Sequence, residues 1–147
     1  MQFREGVIGL NVKEFLQSVR HQDCMLKVYE IELNDLRRRA YNISSPKLGD
    51  KVQANHISAL DEVVERLEAQ AFKVNQALDK LIQMREHAKA LIDMESDMNC
   101  RCILYRRYIL CQFWWQIARE MHYDIRQVFR LHNTGLHDLK RLASRCQ

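Results

Sequence analysis

Apolar side chains recur every seven residues in two long stretches of the chain, with charged side chains between them. The first stretch begins at Asn11, whose side chain suits a helix N-cap, and continues to about Tyr41. A seven-residue apolar repeat is typical of a long helix that packs against another helix along one seam. The seam positions of this first predicted helix are Val12, Val19, Leu26, Leu33 and Ala40.

The repeat stops at a linker that we predict over residues 42–57, which contains the breaker residue Pro46. The second stretch begins at Ser58, where Asp61 three residues later resembles a capping box. It continues to about residue 95. The seam positions of this second predicted helix are Leu60, Leu67, Val74, Leu81 and Ala88.

The two predicted helices can pair in two ways. They suit an antiparallel hairpin within one chain, and they also suit an oligomeric coiled coil, in the simplest case a homodimer through the heptad helices. The periodicity does not distinguish these arrangements, so both stay open. Gln22 and Gln70 fall on seam positions, where polar side chains tend to set the register at a cost in stability. We expect residues 1–95 to form this helical region.

A change in composition and hydrophobic pattern after residue 95 predicts a second domain over residues 96–147. Aromatic and basic residues become frequent, and short amphipathic segments replace the long repeat. One segment predicts a helix near residues 100–109. Trp114 to Asn133 has the spacing of a helix-turn-helix, with a small residue where the two helices cross and apolar residues on both sides of the turn. The predicted core of this motif is Ile117, Ala118, Met121, Val128 and Leu131.

Two positions depart from the usual pattern of the motif. His122 stands at the turn, where the backbone takes a left-handed conformation and Gly is usual. A His is tolerated there at a strain of ~1–2 kcal/mol. Phe113 stands at the N-cap of the first helix, where Ser or Thr is expected, so this helix is predicted to be poorly capped.

The second helix of the motif, predicted from about Ile125 to Leu142, presents outward polar side chains that suit DNA. Arg can bind guanine through two hydrogen bonds, and Gln or Asn can bind adenine in the same way. Basic side chains at the margins suit phosphates, which position the protein without specifying sequence. The predicted base-reading residues are Arg126, Gln127, Arg130 and Asn133, and the predicted phosphate contacts are Arg119, Lys140 and Arg141.

Composition and charge support an all-α fold with an anionic partner. The 147 residues include 4 Gly and 1 Pro, too few for the many turns of a sheet fold. Residues 1–97 hold 14 Lys+Arg against 16 Asp+Glu, and residues 98–147 hold 9 against 3, so the net charges are −2 and +6. This asymmetry favours double-stranded DNA as the partner of the C-terminal third.

Membrane, metal and enzyme functions find little support in the sequence. No apolar run approaches the ~18 residues of a membrane span and the N-terminal residues do not form a secretory signal, so we expect a cytoplasmic protein with no membrane partner. An odd number of cysteines, 5, favours reduced thiols. Cys100 and Cys102 lack the second ligand pair of a usual zinc site, and no catalytic motif is present. We therefore predict no metal, no cofactor and no enzymatic activity.

Three segments of the C-terminal third resemble a known family. They are Arg107-Tyr108-Ile109, Trp114-x-x-Ile117-Ala118-x-x-Met121-x-Tyr123 and Arg126-Gln127-Val128-x-Arg130-Leu131-His132. Together they are similar to the sigma-70 region 4-like helix-turn-helix of ArpU/RinA-type phage and prophage late-transcription regulators. The resemblance is specific over residues 103–142, and the sequence departs from the family's pattern at Cys111, Phe113, His122 and Gly135.

The resemblance implies a late gene activator that binds DNA through Arg126, Gln127 and Arg130 and acts with host RNA polymerase. Two alternatives remain. One is a protein-interaction module with a degenerate helix-turn-helix, suggested by the aromatic cluster around Phe113 and Trp115. The other is a small terminase-like DNA-packaging protein, although such proteins usually place the DNA-binding element first.

Overall fold

The computed structural model describes residues 11–44 and 53–145. This part of the chain is all-helical, with five α-helices, one π-helical turn and no strand, and it includes a long N-terminal helix pair. The predicted all-α class is therefore confirmed. None of the helices described is both long and apolar enough to span a bilayer. The helices are α1 (Val12–Ser44), α2 (Gln53–Ile92), α3 (Met98–Leu104), α4 (Trp114–Met121) and α5 (Ile125–Arg145), and the π turn (Tyr105–Ile109) directly follows α3.

The long helices begin and end close to the strongest sequence signals, with one correction. Asn11 Oδ1 accepts a hydrogen bond from the Lys13 amide at 3.3 Å, as expected of an N-cap. The predicted start of the second helix at Ser58 is wrong, because α2 already begins at Gln53. Both helices thus take residues from the predicted linker 42–57, and its remainder, residues 45–52, lies outside the described residues.

Two compact units divide the chain, and they differ from the predicted division at residues 95 and 96. One unit comprises residues 1–23 and 81–147, and the other comprises residues 24–80. The expected boundary lies inside the first unit. The physical reason is that the start of α1 and the end of α2 contribute fully buried apolar side chains to this unit: Leu16, Val19, Ala88 and Ile92 are each 0% exposed.

Within residues 24–80 the two long helices run antiparallel. Gln70 Nε2 donates hydrogen bonds to the Tyr29 carbonyl at 3.1 Å and to Glu32 Oε2 at 2.9 Å. The Lys73 ammonium lies 4.2 Å from the centre of the Tyr29 ring. The heptad seam is thus used within one chain, and the polar seam residue Gln70 is satisfied by the opposite helix. Buried side chains of this unit are Leu26, Leu33 and Ala77.

A well-formed cap starts the basic part of the chain. Asp97 Oδ1 accepts hydrogen bonds from the amides of Cys100 at 2.9 Å and Asn99 at 2.8 Å, and these bonds lower the pKa of Asp97. The helix predicted near residues 100–109 is found as α3 followed by the π turn. A Cβ atom at Gly135 of α5 would lie only 3.1 Å from Cys100 Cβ, so the absence of a side chain there permits the close packing of α3 against α5.

Candidate nucleic-acid interface

The crossing of α4 and α5 is built around a small apolar cluster. Ile117, Ala118 and Val128 are buried in it together with Ile103 from α3. Partly buried apolar side chains surround this centre. All five residues predicted as the core of the motif lie in this cluster or pack against it. The partly buried side chains that pack against the cluster are Trp114, Met121, Tyr123 and Leu131.

The turn between α4 and α5 depends on a left-handed residue, as the sequence predicts. His122 has φ 55° and ψ 38°. Its amide donates to the Arg119 carbonyl at 3.3 Å, and the Tyr123 amide donates to the Ala118 carbonyl at 3.0 Å. These two bonds are those of a Schellman motif, which closes the end of a helix and redirects the chain. Tyr123 then packs on the apolar cluster, which fixes the exit direction.

Replacing His122 with Gly is expected to stabilise the protein by about 0.5–1 kcal/mol, because the relief of left-handed strain exceeds the added entropy of the unfolded chain. Urea unfolding followed by circular dichroism measures the difference. His137→Gly is the matched control: His137 is exposed in the interior of α5, so there the same change should cost about 1 kcal/mol. Equal effects at both positions would contradict the strain argument.

The beginning of α4 is fixed by side chains other than its N-cap. Phe113 offers no side-chain acceptor, but Gln116 Oε1 accepts from the Phe113 amide at 2.8 Å. Glu120 forms an ion pair with Arg106 of the π turn and accepts from Gln112 Nε2 at 3.1 Å. The Gln112 and Arg106 contacts lower the pKa of Glu120. The weak cap is therefore compensated by a polar network that joins α4 to the preceding turn.

The outward face of α5 carries the predicted base-reading residues. Arg126, Arg130 and Asn133 are exposed and Gln127 is half-buried. The Arg126, Gln127 and Arg130 side chains form neither a hydrogen bond nor an ion pair with the part of the chain that the structure describes. Their donors are therefore free for another molecule. Asn133 differs, since its Oδ1 atom lies 3.4 Å from His132 Nδ1.

The predicted phosphate contacts come from both helices of the motif. Arg119 of α4 and Lys140 and Arg141 of α5 are exposed. The Arg119 guanidinium lies 5.3 Å from the centre of the Trp115 ring, and Arg141 forms an ion pair with Asp138 at 3.4 Å. Arg119 and Lys140 form no ion pair with a carboxylate among the described residues.

One further residue of this face was not predicted as a site. His137 follows Arg130 by seven residues and therefore lies on the same side of α5, and its side chain is 79% exposed. The helical spacing from Arg126 through Arg130 to His137 and Arg141 was the signal that could have found it. The face thus extends over four turns of α5, longer than the predicted motif.

Beneath this face, His132 is a buried packing residue. It is 5% exposed, and its Nε2 atom lies 3.0 Å from the Tyr108 hydroxyl. With Nδ1 directed at the side-chain oxygen Oδ1 of Asn133, we assign the proton to Nδ1 and the hydrogen bond at Nε2 to donation by Tyr108. Burial lowers the pKa of His132 to about 4, with smaller contributions of the same sign from Arg107 and Lys13. His132 is therefore neutral at pH 7.

The two adjacent tryptophans differ in role. Trp114 packs against Phe129 at 4.9 Å and against His132 at 4.8 Å between ring centres, so it supports α5 from below. Trp115 is 56% exposed. Phe113 and Leu110, which precede α4 closely in the chain, are also exposed apolar residues.

No group of three His, Cys, Asp or Glu side chains suited to a metal occurs in residues 11–44 and 53–145. Cys100 and Cys102 both carry free thiols, and burial raises the pKa of Cys100 to about 11. A buried, protonated Cys100 is a packing group. No protein-family model matches the chain, and neither a curated protein nor a solved structure matches it.

Proposed function

We propose that this protein is a DNA-binding transcriptional regulator of the phage type. The observation that carries the proposal is the combination of a tightly closed α4–α5 crossing with an α5 face on which the Arg126, Gln127 and Arg130 side chains have no partner among the described residues. Unpaired cationic and amide side chains on one rigid helix suit the major groove, because that groove presents distinct acceptors and donors at each base pair.

In this proposal α4 and α5 act as a helix-turn-helix. Arg126 and Arg130 bind guanine, and Gln127 or Asn133 binds adenine. The apolar cluster beneath α5 fixes the position of this helix, so that the side chains of its outward face are directed towards the bases. Phosphate contacts by Arg119, Lys140 and Arg141 set the orientation without reading sequence.

The wider role follows from the resemblance to sigma-70 region 4-like regulators of the ArpU/RinA type. It implies activation of late genes together with host RNA polymerase, in the bacterial cytoplasm and without catalysis. A homodimer would present two copies of α5 to one operator. The net charge of +6 over residues 98–147 supports an anionic partner for this end of the chain.

The test is to incubate the purified protein with sheared DNA of its own genome at about 150 mM salt and to sequence the retained fragments. Binding driven by phosphates alone is weak at that ionic strength, so enrichment reports sequence preference. One peak upstream of an operon is the expected result. A uniform profile would refute sequence-specific recognition by α5.

The exposed apolar residues Leu110, Phe113 and Trp115 favour one second candidate, a protein-interaction module. In that case the α4–α5 pair would bind another protein and no DNA. Salt separates the two candidates, because an apolar interface persists at high salt whereas binding to phosphates weakens steeply.

A further inference from the structure

The helix pair of residues 24–80 leaves more large apolar side chains exposed than it buries. In the part of this unit that the structure describes, the buried apolar residues are Leu26, Leu33 and Ala77. The exposed large apolar residues of the same part are Val28, Ile31, Tyr41, Val64, Phe72 and Leu78. Exposed apolar residues that share one helix face indicate an interaction surface, and α2 has such a face.

This face is a row of residues spaced by seven along α2. Val64, Ala71 and Leu78 lie on one side of the helix, since seven residues make almost two full turns. Val64 is 42% exposed, Leu78 is 41% exposed and Ala71 is half-buried. We call these three residues the α2 row. A small side chain stands at its centre, with a large apolar side chain on either side.

Helix α1 packs on the opposite side of the heptad seam and leaves the α2 row uncovered. Gln70 donates a hydrogen bond to the Tyr29 carbonyl at 3.1 Å, and Ala77, on the same side of α2 as Gln70, is 6% exposed. The seam residues Leu67 and Val74 lie between that side and the α2 row, and they are half-buried. The apolar surface of α2 is therefore wider than α1 covers.

The α2 row is complementary to a second copy of itself when two α2 helices run antiparallel. With Ala71 opposite Ala71 of the partner subunit, Val64 lies opposite Leu78 of the partner subunit, and the same contact forms a second time. Such a contact is isologous, because a two-fold axis through Ala71 relates the two copies. Small side chains at the centre let the two helices approach closely, and the large side chains pack on both sides.

Two polar residues beside the α2 row fit the same arrangement. Glu68 and Asn75 lie on the edge of the row that is turned away from α1, are exposed, and form no side-chain hydrogen bond or ion pair with a described residue. They stand three residues before and four residues after Ala71. An antiparallel pair therefore brings each Glu68 carboxylate opposite an Asn75 amide, which can donate to it. A parallel pair would bring Glu68 opposite Glu68, and these like charges repel.

We propose that the α2 row binds a second copy of this chain and forms an antiparallel homodimer centred on Ala71. The surface differs from the heptad seam, which α1 occupies within one chain. The proposal concerns self-association alone and does not depend on the proposed function. A dimer of this kind carries two copies of α5.

The first experiment measures self-association of the full chain by sedimentation velocity over a dilution series, without DNA. The wild-type protein is expected to dimerise at micromolar concentrations. Ala71→Glu brings two carboxylates together at the two-fold axis, so it should raise the dissociation constant by about 100-fold or more. Ile31→Glu is the matched control, because it adds the same charge at an exposed apolar position of α1 and should keep the wild-type value. Circular dichroism checks that each variant is folded.

The second experiment uses a variant that is expected to strengthen the dimer. Asn75→Lys places an ammonium group opposite Glu68 of the partner subunit, twice in each dimer. The dissociation constant should fall by about threefold to tenfold at low salt, and the gain should shrink at high salt. Gln76→Lys is the control, because it adds the same charge to the next exposed position of α2, away from the row, and should have little effect.

Three results would overturn the proposal. A wild-type protein that stays monomeric at every concentration would show that the α2 row does not bind a second copy. A folded Ala71→Glu variant that dimerises like the wild type would place the contact on another surface. A dimer that Asn75→Lys weakens or leaves unchanged would contradict the antiparallel pairing, and this result decides alone if Ala71→Glu does not fold. The retention of genomic DNA fragments tests the proposed function separately.

Discussion

Replacing both Arg126 and Arg130 with Ala is expected to lower the affinity for the specific DNA site by about 3 kcal/mol, roughly 100-fold, because each bidentate contact to a base contributes about 1–3 kcal/mol. Both side chains are exposed and pair with no side chain in the described part of the chain, so the fold should not change. The measurement is fluorescence anisotropy with the fragment that the wild-type protein retains. The affinity of the variant for that fragment should approach its affinity for a random duplex.

The matched control is Arg37→Ala combined with Arg39→Ala, which removes the same charge from exposed positions of residues 24–80. This control should keep both the affinity and the sequence preference. Should the Arg126/Arg130 variant lose affinity equally for specific and random DNA, the two residues would be phosphate contacts, and the assignment of base reading to them would be wrong.

The stability of the protein is expected to fall by about 2 kcal/mol between pH 7 and pH 5 because of His132 alone. The pKa of His132 in the folded protein is about 4, below the ordinary value of 6.5. Between these values the unfolded chain binds a proton and the folded protein does not. The contribution of His132 is therefore fully present above pH 6.5 and is lost as the pH falls towards 4. Urea unfolding at the two pH values measures it.

In the His132→Phe variant this pH dependence should largely disappear, since Phe fills a similar volume and cannot be protonated. The variant also leaves the Tyr108 hydroxyl without its acceptor, so the quantity to compare is the difference between the two pH values, not the stability at either one. His137→Gln is the control, because His137 is exposed and its removal should leave the difference as in the wild type. A His132→Phe variant with an unchanged difference would contradict the assignment.

Local patterns predicted the helices and the α4–α5 turn well. Seven-residue spacing of residues such as Leu26 and Leu33 is a property of one helix surface, so it is visible without knowledge of the fold. The left-handed conformation of His122 was predictable because it is also a local property: a helix that ends in a sharp turn often has a left-handed residue directly after its last turn.

The division into units was not predictable from these patterns. Periodicity shows that Leu16 and Val19 are buried, but it does not show which elements share their core. The helix start at Gln53 was also missed, because the capping pattern of Ser58 and Asp61 suggested a helix N-terminus five residues after the true one. The change in composition after residue 95 is a change of surface chemistry within one compact unit, not a boundary between two units.

The candidate interface was predicted in the part that one helix defines and missed where several elements meet. Arg126 and Arg130 follow from the spacing on α5 alone. The stacking of Arg107 on Trp114 depends on the turn that connects them, and hydrophobic periodicity does not show the path of that turn.

The discontinuous unit has a consequence for the order of assembly. Its two parts are separated by about 57 residues, those from Cys24 to Lys80. Joining the ends of a flexible segment of that length costs roughly 3.5 kcal/mol in chain entropy. We expect the antiparallel pairing of α1 and α2 to form before the unit closes, because that pairing shortens the loop that must then be closed. During synthesis this unit can be completed only after α5 has been made, so we expect the candidate interface to be among the last parts of the chain to form.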